Sequence, residues 1–434
     1  MAVEPNRSFQ LGEIAAIQTG PFGSQLHASD YKEHGTPIIT VEHLGDNEIL
    51  HQNLPLVGES DRQRLAKYSL QVGDIVFTRV GAIDRRAYVS SNEDGWLFSG
   101  RLLRVRPMPN VTDGRFLSHQ LGHHKTVQWI RNHAVGSTMA CLNTSILSDV
   151  PLSLPPLLEQ RRIAEILDTL DEVIRKTEQF IAKLKQVKPG LIYDLLTRGI
   201  DDNGELRDPE QHSELFKDSL LGRVPRKWAV GQLEEWLLES PRNGYSPTAT
   251  AEWTGTFMLG LGCLTANGFE PVQLKHAPKN DPSLQRVLLV DGDLLISRAN
   301  TRAFVGMVGS YRDIGAPCTY PDLMMRLRPT GALRPRFLEH MLRSSALRRQ
   351  IKNGAVGTSE SMVKISAKIV KSLVVAVPTL EEQGQILSRI ESLESCLQRL
   401  ITERSKLCLL KLGLMDDLLT GRVPVTTQLR KVVK

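Results

Sequence analysis

Cysteine is scarce and unpaired in this sequence. The five cysteines, at 141, 263, 318, 396 and 408, are odd in number and form no close pair. That excludes a disulfide framework, fits a reducing compartment and argues against structural zinc. No run of 18 apolar residues occurs, so no membrane-spanning helix is expected. The N-terminus has no basic stretch followed by an apolar core, which leaves no secretory signal to read. Phosphate and metal chemistry are equally thin. There is no Walker-type loop, no HisGluXXHis, no glycine-rich dinucleotide fingerprint and no AsnProProTyr-like tetrapeptide of the amino-methyltransferases, and Gly260-Leu261-Gly262 is too short to count. With 41% hydrophobic and 24% charged residues the composition is that of a soluble globular protein. The net charge of +6 permits an anionic partner but, spread over 434 residues, selects none.

What the sequence does contain is repetition. Residues 160–196 read as one amphipathic helix, with apolar residues at Ile163, Leu167, Leu170, Ile174, Ile181, Leu184, Leu191 and Leu195 in alternating steps of three and four. The same register returns 223 positions later at Ile386, Ile390, Leu393, Leu397, Arg404, Leu407, Leu414 and Leu418. Thr177 and Lys188 fill the gaps in the first copy, Leu400 and Lys411 in the second. Two matched stripes, each about 50 Å long, predict a two-stranded coiled coil rather than helices lying on separate cores. Arg404, Lys188 and Lys411 fall on that seam, where polar residues are expected to mark docking or a local opening. Pro189 predicts a kink in the first helix.

The duplication runs through the rest of the chain. Val72–Arg79 (ValGlyAspIleValPheThrArg) answers Asp291–Arg298 (AspGlyAspLeuLeuIleSerArg), Arg106-Pro107 answers Arg328-Pro329, and AlaValGlySerThr from Ala134 answers AlaValGlyThrSer from Ala355. Strands are predicted at 74–78, 293–297, 102–106 and 324–328, and helices at 116–129 and 337–351. Extended runs at 151–156 and 374–378 close on proline, and Glu159-Gln160 and Glu382-Gln383 open the long helices. The stretch 199–226, polar and rich in glycine and proline, reads as a linker. The expected layout is a globular domain over 1–158, a long helix over 159–198, that linker, a second domain over 227–380, a second long helix over 381–420 and a tail over 421–434. The fold class is α+β, two mixed α/β domains joined by an antiparallel coiled coil with an internal pseudo-two-fold repeat.

No catalytic constellation emerges from either copy, and no metal site is predicted. His119 and His123 stand four apart on a predicted helix, but the counterpart of His119, His340, has Ser344 at that spacing, so both histidines are read as structural or solvated. Cys141 has no duplicated counterpart and no activating base at a recognisable spacing in the sequence, and is read as inert. Two copies of a module without catalytic groups read as a binder. Candidate contacts in the first copy are Thr19, Gly20, Ser24, Gln25, Arg79, Arg85, Arg86, Arg101, Ser137 and Thr138. In the second they are Arg242, Asn243, Tyr245, Ser246, Arg298, Asn300, Arg302, Thr358 and Ser359. Arginine pairs bidentately with guanine, asparagine and glutamine suit adenine, and hydroxyl-bearing loops suit phosphate. For any one of these arginines the alternative is a solvated surface charge or an ion pair within the fold.

ThrGlyProPheGlySer at 19–24, AlaValGlySerThr at 134–138, ProProLeuLeuGluGlnArgArgIleAlaGluIleLeu from Pro155 and AspLeuLeuThrArgGly from Asp194 together resemble the specificity subunit of type I restriction-modification enzymes. The resemblance covers essentially the whole chain. The second copy departs from it at SerProArgAsnGlyTyrSer (240–246) and lacks the LeuAsn found at Leu142-Asn143. The resemblance implies two target recognition domains reading the halves of an asymmetric, bipartite double-stranded DNA site. It also implies long helices that dock two modification subunits, which methylate adenine, with restriction subunits in the same assembly. S-adenosylmethionine, ATP and magnesium would then belong to partners, and this chain would be a non-catalytic, cytoplasmic recognition subunit without a cofactor of its own. A modification-only system and a coiled-coil protein-binding scaffold are the alternatives.

Overall fold

A computed structural model describes residues 6–21, 25–26, 30–136, 140–357 and 362–425. The chain divides into two compact units. One contains the chain up to Phe180 together with the chain from Leu400, and the other is Ile181–Arg399. Each unit therefore holds one globular domain and half of each long helix, so the helices are not segments apart from the domains.

In the first unit the central sheet has the order Ala15–Thr19, Leu102–Pro107, Ile75–Thr78, Arg86–Tyr88, antiparallel throughout. Ile75–Thr78 is buried at every position, as a central strand covered on both faces must be. The turn before it explains the repeated GlyAsp. Gly73 has φ +96°, open to glycine at no steric cost, and the Asp74 carboxylate accepts from the Gln71 amide at 2.9 Å. Gly292 (φ +87°) and Asp293, accepting from the Val290 amide at 3.0 Å, repeat this turn in the second unit. A second small sheet contains the parallel pair Thr36–Ile39 with Leu97–Phe98. Helices Gly114–Gly122 and His124–His133 cover the central sheet, and Arg7–Gln10 pairs with Pro151–Leu154.

The second unit repeats this plan. Its central sheet runs Arg242–Asn243, Met324–Leu327, Leu294–Ser297, Val308–Ser310. Its parallel pair is Phe257–Leu259 with Cys318–Thr319, and its edge pair is Ala229–Gln232 with Val374–Val377. The predicted helices 116–129 and 337–351 are each two helices, the second unit's being Pro335–Arg343 and Ser345–Gly354. The break falls at His123 and Ser344, both extended in backbone, and the Ser344 hydroxyl caps the following helix by accepting from the Leu347 amide. Periodicity alone missed it because the apolar stripe continues across the break. The stretch read as a linker is also folded. It carries the hairpin Phe216–Ser219 with Gly222–Pro225, and Phe216, Val224 and Trp228 are buried.

The long helices span Leu157–Thr197 and Leu380–Leu419, about 60 Å each. The first continues as helix through Pro189. None of the seam positions named above is exposed. In the first unit Ile163, Ala164 and Leu167 share a core with Met415, Leu418 and Leu419, and in the second Leu195 shares one with Ile386, Leu387 and Ile390. The start of one helix thus meets the end of the other in each unit, which is antiparallel pairing.

The polar seam residues fix that pairing. Lys188 meets Glu394 at 2.8 Å, Lys411 meets Asp171, and Arg404 meets Glu178 at 3.4 Å. Lys188 and Lys411 are duplicates of each other, as are Asp171 and Glu394, so one ion pair is written twice. The expectation of a local opening there is corrected. Each cation is matched by a carboxylate on the facing helix, an arrangement that sets register.

The GluGln that opens each helix is a duplicated latch. Gln160 donates to the carbonyls of Val111 (3.2 Å) and Pro155 (2.9 Å) and accepts from the Asp113 amide (3.0 Å). Gln383 makes the same set with Ala332 (2.9 Å), Pro378 (2.9 Å) and the Arg334 amide (2.8 Å). Glu159 accepts from the amide of Val425, and Glu382 from that of Ile200, each just beyond the end of the opposite long helix. The buried guanidinium of Arg207 and the Trp228 indole N–H (3.1 Å) also converge on Glu382.

Candidate nucleic-acid interface

The strand Ala15–Thr19 delivers Thr19 and Gly20 to the end of the central sheet. There the Gly20 amide donates to the Leu102 carbonyl at 3.1 Å. A side chain at Gly20 would lie 2.1 Å from the Ser99 carbonyl oxygen, so this close approach of two backbones requires glycine. Gly244 repeats it, with the Tyr320 carbonyl 2.0 Å from the position of a Cβ and its own amide on the Met324 carbonyl at 3.1 Å. The two arginines ending the duplicated strands are equivalent in the structure as well. The amides of Arg79 and Arg298 donate to the carbonyls of Arg101 and Leu323, and their own carbonyls accept from Leu142 and Ile365.

In the first unit this frame forms the floor of an open cleft of about 950 Å³. Arg79, Arg85 and Arg101 line it, with Ser99 and Gly100 beneath and Pro21, Tyr31, Glu42 and Asn53 on the walls. Arg85 and Arg101 are exposed, while Arg79 is half-buried and donates to the Gly100 carbonyl at 3.3 Å. Three guanidiniums around a polar, solvent-open concavity with an aromatic ring and a carboxylate at its rim match the edges of bases and the phosphates between them. The sequence offered no sign of Tyr31, Glu42 or Asn53, which sit on short elements or in a loop.

Other candidates lie elsewhere. Arg86 is buried, donates to the Ser118 carbonyl and is held by burial below the ordinary guanidinium range; it serves the core rather than a ligand. Its neighbour Arg85 faces out because successive strand residues alternate. Gln25 accepts from the Tyr68 hydroxyl at 2.7 Å and does not line the cleft. Ser24, Ser137, Thr138, Thr358 and Ser359 lie outside the described residues.

The second unit presents different chemistry on the same frame. Asp322 stands where the first has Gly100; its carboxylate accepts from Ser246 at 2.5 Å and its carbonyl from Arg298 at 3.5 Å. Arg242 is exposed and pairs with Glu239 at 2.5 Å, Asn243 belongs to the sheet edge, and the Tyr245 hydroxyl bonds to Asp281. Asn300 and Arg302 follow Arg298: Asn300 accepts from the Thr301 amide at 2.8 Å and Arg302 donates to the Lys352 carbonyl at 3.2 Å.

His119 and His123 do not converge. His119 is fully buried against Asp168 at 2.7 Å, and His340 is buried with its pKa lowered to about 4, chiefly by desolvation. Among the described residues no helix is long and apolar enough to cross a membrane.

The type I restriction modification DNA specificity domain matches residues 4–186. The MjaX specificity subunit of Methanocaldococcus jannaschii, provisionally named as that of a type I restriction enzyme, is 27% identical over 409 residues, 91% of this chain and 88% of that one. The type I restriction enzyme EcoKI specificity subunit of Escherichia coli is 27% identical over 292 residues, 67% of this chain and 60% of its own. The solved S subunit of a type I system from M. genitalium shares the fold, with a TM-score of 0.55 at 13% identity, covering 95% of this chain and 96% of that one. With the duplicated domains and the paired helices in hand, the chain matches the type I restriction modification DNA specificity domain over residues 4–186 and is similar over most of its length to specificity subunits of type I restriction enzymes.

Proposed function

We propose that each unit reads one half of a bipartite, asymmetric double-stranded DNA site, and that the long helices carry two modification subunits and, through them, restriction subunits. The observation that carries this reading is the arginine-lined cleft of the first unit, set on a frame that the second unit repeats with an acid, a hydroxyl and a tyrosine in its place. One scaffold with two chemistries suits two different half-sites. With their seams occupied by each other, the helices offer other faces for docking. Val173, Phe180, Val187 and Tyr193 on the first helix and Leu409, Leu410 and Leu412 on the second are exposed. Adenine methylation with S-adenosylmethionine, and ATP- and magnesium-dependent cleavage, then reside on partner subunits in the cytoplasm, and this chain supplies recognition without a catalytic group.

Salt titration of a mobility shift, using this chain assembled with its modification subunits, tests the reading. The logarithm of the binding constant is expected to fall linearly with the logarithm of salt, with a slope of about −0.9 per phosphate contacted. Affinity indifferent to salt, or to the sequence of the duplex, contradicts it.

A further inference from the structure

Consecutive residues in a continuous helix project about 100° apart, which keeps neighbouring histidines from sharing a ligand. The break before His124–His133 removes that obstacle. His123 is extended (φ −63°, ψ 138°), and the rings of His123 and His124 lie 4.4 Å apart. Asp416, near the end of the second long helix and in the same unit, presents a single carboxylate oxygen to both. Its Oδ1 is 2.8 Å from His123 Nε2 and 3.2 Å from His124 Nδ1.

Two imidazole nitrogens and a carboxylate oxygen, all within 4.8 Å of one another, form the nitrogen–oxygen donor set preferred by zinc and its neighbours. Bonds of about 2.0–2.2 Å in a tetrahedron place donor atoms roughly 3.3 Å apart, close to the two distances from the carboxylate oxygen to the imidazole nitrogens. The shared scaffold does not require the cluster, since Ser344, Ser345 and Tyr193 occupy the corresponding positions of the second copy. The cysteines and the His119/His123 spacing gave no sign of it, because the converging pair is adjacent in sequence.

We propose that His123, His124 and Asp416 bind one divalent transition-metal ion of the zinc, cobalt or nickel class, completed by water. The ion ties the end of the second long helix to the helix pair of the first recognition domain. It is a clip within the first unit and takes no part in methyl transfer or cleavage.

The test uses the full chain without a polyhistidine tag, stripped of metal by a chelator. Cobalt is titrated by visible absorption and zinc by calorimetry, in the wild type and in His124→Ala and Asp416→Asn. The expected result is one ion per chain, a zinc-dependent rise in the melting temperature, and loss of both in each variant. His124 is exposed, so His124→Ala leaves the fold intact, which far-ultraviolet circular dichroism verifies. A wild-type chain that takes up neither ion overturns the proposal, as does His124→Ala binding with unchanged stoichiometry and affinity.

Discussion

Replacing Arg85 and Arg101 together with alanine is expected to weaken binding of the assembled complex to its cognate site on the order of 10²- to 10³-fold. Each guanidinium that reaches a base edge contributes about 1–3 kcal/mol, and each 1.4 kcal/mol is tenfold in affinity. Both side chains are exposed at the mouth of the cleft, so the fold is unaffected and the loss is one of contact rather than stability. The same measurement separates the two uses of arginine. If the pair contacts phosphates, affinity falls for all sequences and the salt slope shrinks by about 1.8. If it reads bases, the slope holds and discrimination is lost at defined positions of one half-site. A double variant that binds cognate DNA as tightly as the wild type removes the cleft from the recognition surface.

Glu382→Ala is expected to cost about 3–5 kcal/mol of stability, enough to leave the second unit largely unfolded at moderate temperature. The carboxylate is buried and gathers the Arg207 guanidinium, the Trp228 indole and the Ile200 amide. Truncation leaves Arg207, itself buried, as a charge without its carboxylate and strands two further donors. Among the described residues its duplicate, Glu159, receives the Val425 amide and no buried cation, so Glu159→Ala is expected to cost less. Urea denaturation of both variants, followed by tryptophan fluorescence and circular dichroism, measures the difference. Equal midpoints for wild type and Glu382→Ala contradict the role given to this latch.

The long helices were legible because a seam in steps of three and four can be read residue by residue, and its duplication confirmed the register. The strands that follow Asp74 and Asp293 were also legible, since the turn chemistry of GlyAsp is local. Other features were hidden because their partners are remote in sequence. Gln160 and Gln383 were seen to open helices, yet beyond the nearby carbonyls of Pro155 and Pro378 their bonds go to loops far upstream, and nothing near them in sequence names those partners. Arg85 and Arg86 look alike as a pair of charges, and only the phase of a short strand sends one into the cleft and the other into the core. The stretch 199–226 has the composition of a linker, but its few apolar residues are the ones that anchor it. The cleft's far wall was unreadable because the small sheet that forms it contains strands as short as Tyr31–Lys32 and Leu56–Val57, too short to show a period.

One recognition domain per half-site is the claim on which the account rests, and exchanging a domain tests it most directly. Residues 1–150 would be replaced by the matching segment of another specificity subunit, and methylated adenines mapped across the genome of cells carrying the chimaera with its modification partners. The account predicts a new sequence in one half of the site and the original sequence in the other. A chimaera whose methylated sites change in both halves, or in neither, would contradict it.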